Sequence, residues 1–307
     1  MSGDRLIVGI DGGATHTTAV VVDESGTELA RVEGGPGIIN PADPAACVGR
    51  LAVLARSAII AADAFAPVHA LCCALAGAGR PEVREVVRAE LVREQIARHV
   101  TITTDAEAAL ADAFGDEPGI LLIAGTGSIA WGRAEDGRLV RCGGWGALLG
   151  DEGSGYALGL GALRSAARAA DGRSPATELH EAILAELGVD RPEAMIDWAA
   201  RAGKEQVAAL APLVLRHAEG GDEAAIALRD EAASALAEHV RVLYERLGPW
   251  RTAPELALAG GLARPGGPLR AAIRDALDRN GPACRLHERT IDAARGATRL
   301  ARVPLRA

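Results

Sequence analysis

The sequence is poor in lysine and in aromatic residues, and each scarcity limits what the protein can do. Lysine occurs once, at Lys204, among 33 basic residues. A Walker A loop ends in Gly-Lys followed by Ser or Thr, whereas Lys204 is followed by Glu205, so that nucleotide site is excluded. Aromatic residues make up 3% of the chain and the net charge is −8. Neither the basic surface nor the stacking side chains of a nucleic-acid-binding protein are therefore predicted.

Cysteine and long apolar runs are scarce as well. The five cysteines form no C-x-x-C pair and no Cys/His ligand cluster, which favours a reduced, cytoplasmic protein. No uninterrupted apolar run approaches the roughly 18 residues of a membrane span, and the first residues lead into a strand without a secretory apolar core. No membrane partner is expected, and a homodimer is left open.

What the sequence does have is enough apolar material for two domains. Its 307 residues are 49% apolar, and single cores stop growing near roughly 250–300 residues. Two domains with a cleft are therefore predicted.

Apolar runs and turn residues predict one element order that occurs twice. The first half is predicted to have strands at 6–10, 18–22 and 27–32, a helix after Asp43-Pro44, a strand at 69–74, a helix at 81–97, a strand at 100–103 and a helix at 106–114. This order, βββαβαβα, starts again at Ile120 if a helical stretch at about 176–247 is treated as an insertion. The predicted domains are 1–115 and 116–289.

Two glycine turns stand at matching places in the two halves. The first, Asp11-Gly12-Gly13-Ala14-Thr15-His16-Thr17, joins two strands and gathers backbone donors, hydroxyls and an imidazole that suit a phosphate. A flexible hairpin explains the same glycines. The second, Gly125-Thr126-Gly127-Ser128, partly matches a dinucleotide fingerprint, but a strand rather than a helix follows it. A second phosphate turn is the better interpretation.

Three further motifs carry candidate chemistry. Thr104-Asp105-Ala106-Glu107 has the spacing of a capping box, so Asp105 is either a first-turn acid or a base for a substrate hydroxyl. Gly143-Gly144-Trp145-Gly146 together with Asp151 suits a small polar ligand, with an indole face for a sugar ring. The alternative is a structural turn plugged by Trp145. Gly260-Gly261 ends a strand, where a flat base could approach the backbone.

Together these residues resemble the N-acetylglucosamine kinases, in the benzoyl-CoA-reductase-type ATPase branch of the actin-like sugar kinase superfamily. The resemblance covers nearly the whole chain and is most specific from Cys142 to Ser154. It implies two ribonuclease-H-like domains that bind ATP, Mg²⁺ and an amino sugar, and a C-terminal helix at 290–307 that packs back on the first domain.

The resemblance also implies roles for individual residues. Asp105 would be the base that takes the proton of the sugar 6-hydroxyl, and Asp11 would hold the metal. The nucleotide would be bound by Gly12, Gly13, Thr15, His16, Thr17, Thr126, Gly127, Gly260 and Gly261. The sugar would be bound by Asn40, Asp105, Ser128, Ile129, Gly144, Trp145, Gly146 and Asp151.

Two positions depart from the family, and two other functions stay open. His16 stands where relatives usually carry Lys or Arg, and Ile129 stands where several carry an Asn near the sugar, so N-acetylglucosamine is favoured with glucosamine as the alternative. An ATPase that activates a radical dehydratase is a third possibility, but it needs converging thiolates. A repressor-type sugar sensor would need a DNA-binding domain before Asp11, where only ten residues stand.

Overall fold

The computed structural model describes residues 5–13, 16–40 and 42–302. The chain divides into two compact units. The first consists of Met1–Glu117 with Ile291–Ala307, and the second is Pro118–Thr290.

The first unit is built on a five-stranded mixed sheet. Its elements are β1 (Ile7–Gly12), β2 (Thr17–Val22), β3 (Glu28–Gly34), a 3-10 turn (Pro44–Cys47), α1 (Val48–Ala61), β4 (Val68–Leu75), α2 (Pro81–Arg93), β5 (Ala97–Thr103) and α3 (Asp105–Phe114). The strand order is β3-β2-β1-β4-β5, with β1 antiparallel to β2 and parallel to β4.

The second unit repeats this design with more helices. Its elements are β6 (Gly119–Ala124), β7 (Ser128–Arg133), β8 (Leu139–Gly143), α4 (Gly155–Ala170), α5 (Glu178–Leu187), α6 (Ala194–Arg201), α7 (Lys204–Ala208), α8 (Ala211–Glu219), α9 (Glu223–Leu247), β9 (Glu255–Ala259), α10 (Gly260–Ala263), α11 (Arg270–Asn280) and β10 (Arg285–Leu286). The strand order is β10-β9-β6-β7-β8.

The chain then returns to the first unit through α12 (Ala293–Ala301), which is shorter than the predicted helix at 290–307, of which 303–307 lie outside the described residues. This helix packs on β1, β4 and α3, and its buried alanines join Ile7, Val20 and Cys72 in a separate core cluster. A larger cluster on the other face of the sheet contains Val8, Ile10 and the apolar side of α1. The first sheet is thus covered on both faces, and the predicted α/β fold class is confirmed.

One helical stretch has the length and composition of a membrane span. Pro44–Ala61 has a mean hydropathy of 1.5, and 44% of it is buried inside the structure. The core helix of a globular unit passes the same test, and α1 packs its buried residues Leu51, Ala55 and Ala58 among the side chains of the sheet.

Several boundaries differ from those that the sequence predicts, and two of the differences have a clear physical reason. The helix predicted at 81–97 ends at Arg93, because Gln95 takes a φ of +52° and the chain leaves the helix there. The stretch 176–247 is not wholly an insertion. Its last helix, α9, packs on β6, β7 and β8, since Leu236, Val240 and Leu243 are buried in the core over that sheet. The insertion proper is therefore α5 to α8.

Candidate functional site

The first glycine turn is tied to the loop that follows β3. The Gly13 carbonyl accepts hydrogen bonds from Gly37 N and Ile38 N, both at 3.1 Å. The Thr17 hydroxyl donates to Gly35 O at 2.6 Å, so it already has a partner within the unit. A side chain at Gly12 would meet Leu75 Cδ2 at 2.5 Å. The turn is therefore held closely against its neighbours.

The predicted ligand-binding residues Thr15, His16 and Asn40 also belong to this turn and loop. Ala14 and Thr15 lie outside the described residues, so the predicted phosphate contact of Thr15 has no position here. His16 is exposed. Asn40 is exposed too, and its Oδ1 accepts from Ala42 N at 3.0 Å within its own turn.

Acidic side chains gather beside Asp11 at the end of β1. Burial, together with the charges of Asp105 and Asp292, raises the pKa of Asp11 to about 7. Like charges that close together disfavour ionisation of each other. A cation placed here would reverse that effect, so this cluster is electrostatically suited to a metal ion.

Asp105 begins α3 without acting as its cap. The cap is Thr104, whose side chain accepts from Glu107 N, while the Glu107 carboxylate accepts from Thr104 N at 2.9 Å. Arg84 and Thr103 also contact that carboxylate. The capping role of the motif therefore falls on Thr104 and Glu107, and the role of Asp105 as a base stays a prediction.

The environment of Asp105 favours its protonated form. Burial raises the pKa of Asp105, the Glu107 charge adds to this, and a hydrogen bond from Ala106 N at 2.9 Å partly opposes it. A carboxylate whose pKa lies above its usual value is a stronger base for a substrate proton.

Asp292 is a member of this cluster that sequence reasoning missed. It caps α12, accepting from Arg295 N at 3.1 Å, and it pairs with Arg31 at 2.6 Å. A side chain at Gly296 would collide with Ala108 O, so this glycine lets α12 approach α3 closely. The signal in the sequence was an N-cap Asp before a helix, but nothing local connects it to Asp11.

The second glycine turn rests on the start of α4. Gly125 O accepts from Gly155 N at 2.8 Å, and Thr126 O accepts from Tyr156 N at 3.2 Å. The Ser128 hydroxyl donates to Glu152 O at 2.7 Å. The turn is thus fixed by backbone and side-chain hydrogen bonds within the second unit.

Gly260 and Gly261 lie next to this turn. Strands β6 and β9 are parallel neighbours, so their carboxyl ends meet at one edge of the sheet, where ligands of α/β folds bind. Gly260 has a φ of +82°, and a side chain there would collide with Ala124 O, while Gly261 has open space around its Cα. The glycines predicted to bind ATP in this unit, 127, 260 and 261, therefore share one edge.

The loop after β8 exposes its tryptophan. Trp145 is 64% exposed, and the Arg141 guanidinium lies 4.7 Å from its ring centroid. Gly144 has a φ of +70°, and a side chain there would meet Ile129 Cδ1 at 2.5 Å; Gly146 has a φ of +83°. Trp145 therefore does not plug the turn, and Ile129 packs beneath the loop.

Asp151 is buried and holds this loop to the second turn. Its side chain is 5% exposed. Oδ1 accepts from Ser128 N at 3.1 Å, and Oδ2 lies 2.8 Å from Lys204 Nζ. Lys204 was not predicted as a site residue, although its being the only lysine in the chain was a signal.

The buried cysteines bear on the dehydratase-activator alternative, and the acidic side chains bear on the metal. Cys72 and Cys73 are fully buried on β4, and burial raises the pKa of the Cys72 thiol to about 12. Across the described ranges, no group of three or more His, Cys, Asp or Glu side chains is placed to hold a metal ion. Mg²⁺ commonly takes one or two carboxylates together with phosphates and water, and Asp11 fits that smaller requirement.

Two known proteins and one solved structure are similar to this chain over nearly its full length. The chain is 31% identical to an N-acetylmuramic acid/N-acetylglucosamine kinase from Clostridium acetobutylicum, over 97% of this chain and 98% of the relative. It is also 31% identical to an N-acetyl-D-glucosamine kinase from Dictyostelium discoideum, over 97% and 98%. A solved structure assigned as an N-acetylglucosamine kinase, from Chromobacterium violaceum, superposes with a TM-score of 0.80 at 30% identity, over 97% of this chain and 99% of that one.

The sequence profile of one family matches residues 8–301, which is nearly the whole described chain. On this match and on the full-length relatives, the protein belongs to the BadF/BadG/BcrA/BcrD ATPase family.

Proposed function

We propose that the protein is an ATP-dependent kinase that phosphorylates the 6-hydroxyl of an amino sugar. The observation that carries the proposal is the carboxylate of Asp105. Its pKa is raised, and it is not needed as the cap of α3 because Thr104 and Glu107 form the capping box. The full-length relatives, both kinases of N-acetylated sugars by name, support the same activity.

In the proposed reaction, the protein carries out one proton transfer. Asp105 accepts the proton of the sugar 6-hydroxyl as that oxygen bonds to the terminal phosphorus of ATP and the bond to ADP breaks. Phosphoryl transfer needs little covalent help from an enzyme, so most of the rate enhancement comes from positioning and charge neutralisation. A base contributes roughly 10²–10⁴-fold.

Asp11 is proposed to hold Mg²⁺, which would neutralise phosphate charge when bound. The support is the raised pKa of Asp11 beside two further carboxylates. The nucleotide is assigned to the glycine turns at Gly12–Gly13 and Thr126–Gly127 and to the Gly260–Gly261 backbone. His16, exposed at the end of the first turn, is assigned to the nucleotide as well.

The sugar is assigned to Asn40, Ser128 and Trp145, together with the backbone around Gly144, whereas Asp151, buried and paired with Lys204, acts on this site by holding Ser128 N. Trp145 presents an open indole face suited to an apolar sugar face. Ile129 packs beneath Gly144 and cannot donate a hydrogen bond there, so other groups must hold an acetamido carbonyl. We propose N-acetylglucosamine as the preferred substrate, with glucosamine as the second candidate.

A coupled assay of ADP release tests the proposal. The substrates are N-acetylglucosamine, glucosamine, N-acetylmuramic acid, N-acetylmannosamine and glucose, each with ATP and Mg²⁺, and the control is the Asp105→Asn variant. We expect the largest kcat/KM with N-acetylglucosamine and almost none with the variant. A tenfold preference for glucosamine would overturn the substrate, and no turnover with any of the five would overturn the kinase.

The cytoplasmic location and the homodimer stay predictions. Size-exclusion chromatography with light scattering tests the second, since a dimer has twice the 31.5 kDa mass of the chain.

A further inference from the structure

Lys204, the only lysine in the chain, sits beside the second glycine turn. Its Nζ lies 2.8 Å from Asp151 Oδ2, and its side chain is 34% exposed, whereas that of Asp151 is 5% exposed. The pair therefore joins a buried carboxylate to an ammonium that still reaches solvent. An ammonium has three donors, so this contact leaves donors to spare.

Asp151 needs this partner because of where it is held. Its φ is +60°, an uncommon conformation for a residue with a side chain, and its Oδ1 accepts from Ser128 N. Removing one member of a buried ion pair leaves an uncompensated charge, which is strongly destabilising. Lys204 therefore offsets the charge of Asp151 and keeps its carboxylate in contact with Ser128, the first residue of β7.

The position of Lys204 is set by close helix packing. Lys204 begins α7, and a side chain at Gly159 in α4 would collide with Val207 O of α7. A side chain at Gly155 would lie 3.4 Å from Ala208 O. Two glycines of α4 thus bring the α7 backbone close, and this places the ammonium at the turn.

The pair lies directly under the turn itself. A Cβ added at Gly127 would stand 2.8 Å from Asp151 Oδ1 and 2.9 Å from Lys204 Nζ. No other residue type fits at Gly127 without moving one of these charged atoms. The shape of the Gly125–Ser128 backbone therefore depends on the pair beneath it.

We propose that Lys204 is a positioning residue for the nucleotide: through Asp151 it fixes the Gly125–Ser128 turn in the form that binds the phosphates of a nucleoside triphosphate. The proposal rests on the proposed function and goes beyond it, since it assigns the chain's only lysine to the nucleotide side of the site.

Steady-state kinetics provide the first test. We expect Lys204→Met to raise the KM for ATP at least about tenfold, equal to roughly 1.4 kcal/mol of lost binding, with a smaller change in kcat. Lys204→Arg, which keeps the charge, should recover most of the loss. The matched control is Arg201→Met, which removes an exposed cation from the end of α6 and should leave both constants unchanged. Equal KM values for ATP in Lys204→Met and Arg201→Met would overturn the proposal.

A spectroscopic test uses the wild-type chain and needs no turnover. Reductive methylation with ¹³C-formaldehyde labels only Lys204 and the terminal amine, and it keeps the positive charge. The dimethyl-lysine signal should move when a non-hydrolysable ATP analogue binds, and its chemical shift should also change in the Asp151→Asn variant because the neighbouring carboxylate charge is gone.

The outcomes separate the two proposals. An analogue that binds in calorimetry without moving the signal, together with an unchanged chemical shift in Asp151→Asn, contradicts the role of Lys204 and leaves the kinase standing. An analogue that fails to bind wild-type protein contradicts the proposed function, whereas the chemical shift in Asp151→Asn still reports whether the ion pair exists.

Discussion

The two units share an element order but treat their buried carboxylates in opposite ways. In the first unit, Asp11 has Asp105 and Asp292 as neighbours, and both raise its pKa. In the second unit, Asp151 is paired with Lys204 at 2.8 Å. One site is thus left with like charges close together, and the other is neutralised by the chain itself.

This difference separates two tasks that one fold can perform. A cluster of like charges costs folding energy and lowers that cost when a cation arrives, which is typical of a site that binds a metal. An internally paired carboxylate gains nothing from a cation and instead fixes the conformation of a loop. We infer that the first unit supplies acidic groups for binding and catalysis, and that the second unit holds a binding loop in a fixed conformation.

Asp105→Asn should have the largest effect, because it removes the proposed base from the acidic unit. We expect kcat to fall by roughly 10²–10⁴-fold with little change in the Kd for the sugar. Since the pKa of Asp105 is raised, the wild-type rate should increase with pH as Asp105 loses its proton. Steady-state kinetics over pH and sugar calorimetry measure both. A variant within threefold of wild type would make Asp105 a structural first-turn acid.

Asp11→Asn should stabilise the free protein at alkaline pH while impairing activity. The folded pKa of Asp11, about 7, lies above the ordinary value of 3.8. The contribution of Asp11 to the free energy of unfolding is therefore fully present below pH 4 and is lost as the pH rises through 7. Above that, the variant should be more stable by up to about 4 kcal/mol. Urea unfolding at pH 4 and pH 8 measures this.

Magnesium provides the control for that prediction. It should raise the unfolding temperature of the wild type at pH 8 and should do so less in Asp11→Asn. Equal stabilisation of the two proteins would place the metal elsewhere.

Glycine substitutions test the helix packing that builds each site. A side chain at Gly296 would collide with Ala108 O, and one at Gly159 would collide with Val207 O. We expect Gly296→Ala and Gly159→Ala each to cost about 1–3 kcal/mol of stability, as overpacking usually does. Only Gly296→Ala should lower the pKa of Asp11, because it displaces α12 and with it the Asp292 charge. Urea unfolding and NMR titration of the carboxylates measure these effects.

Gly161→Ala is the matched control within α4. A side chain there would meet only the Leu228 Cδ2 methyl at 2.7 Å, which can move, and alanine is the better helix former by about 1 kcal/mol. Its stability should therefore equal or exceed wild type. A large loss would mean that α4 tolerates no added methyl group anywhere.

Trp145→Ala should have the smallest effect on stability and a clear effect on the sugar. Because Trp145 is exposed, the free energy of unfolding should change by less than about 0.5 kcal/mol, while the KM for the sugar rises severalfold. Leu148→Ala is the control, since Leu148 lies in the same loop and is 93% exposed. If both variants raise the KM equally, the loop rather than the indole binds the sugar.

Much of the fold could be predicted because local sequence patterns indicate its strands and helix starts. Apolar runs located β1, β4 and β6, and the spacing of Thr104 and Glu107 located the start of α3, since strands and caps depend on residues close in sequence. The end of α2 was missed because a positive φ at Gln95 has no strong sequence signal.

Only some of the residues at the two sites could be predicted from the sequence, for the same reason. Asp11, Asp105 and the glycine turns stand within recognisable motifs. Asp292 and Lys204 reach their partners only because Gly296 and Gly159 allow helices to pack closely, and such contacts join residues that are distant in the chain. Local sequence patterns do not indicate these long-range contacts.

The return of α12 to the first unit sets an order on how that unit is made during translation. Everything from β1 to α3 emerges from the ribosome before the second unit, and α12 emerges after it. Until then, the sheet face that holds Ile7, Val20 and Cys72 lacks its covering helix, and Asp11 lacks the Asp292 charge. The nascent chain thus carries a first unit without α12 until the second unit has been synthesised, so the acidic site is completed only after the second unit has emerged.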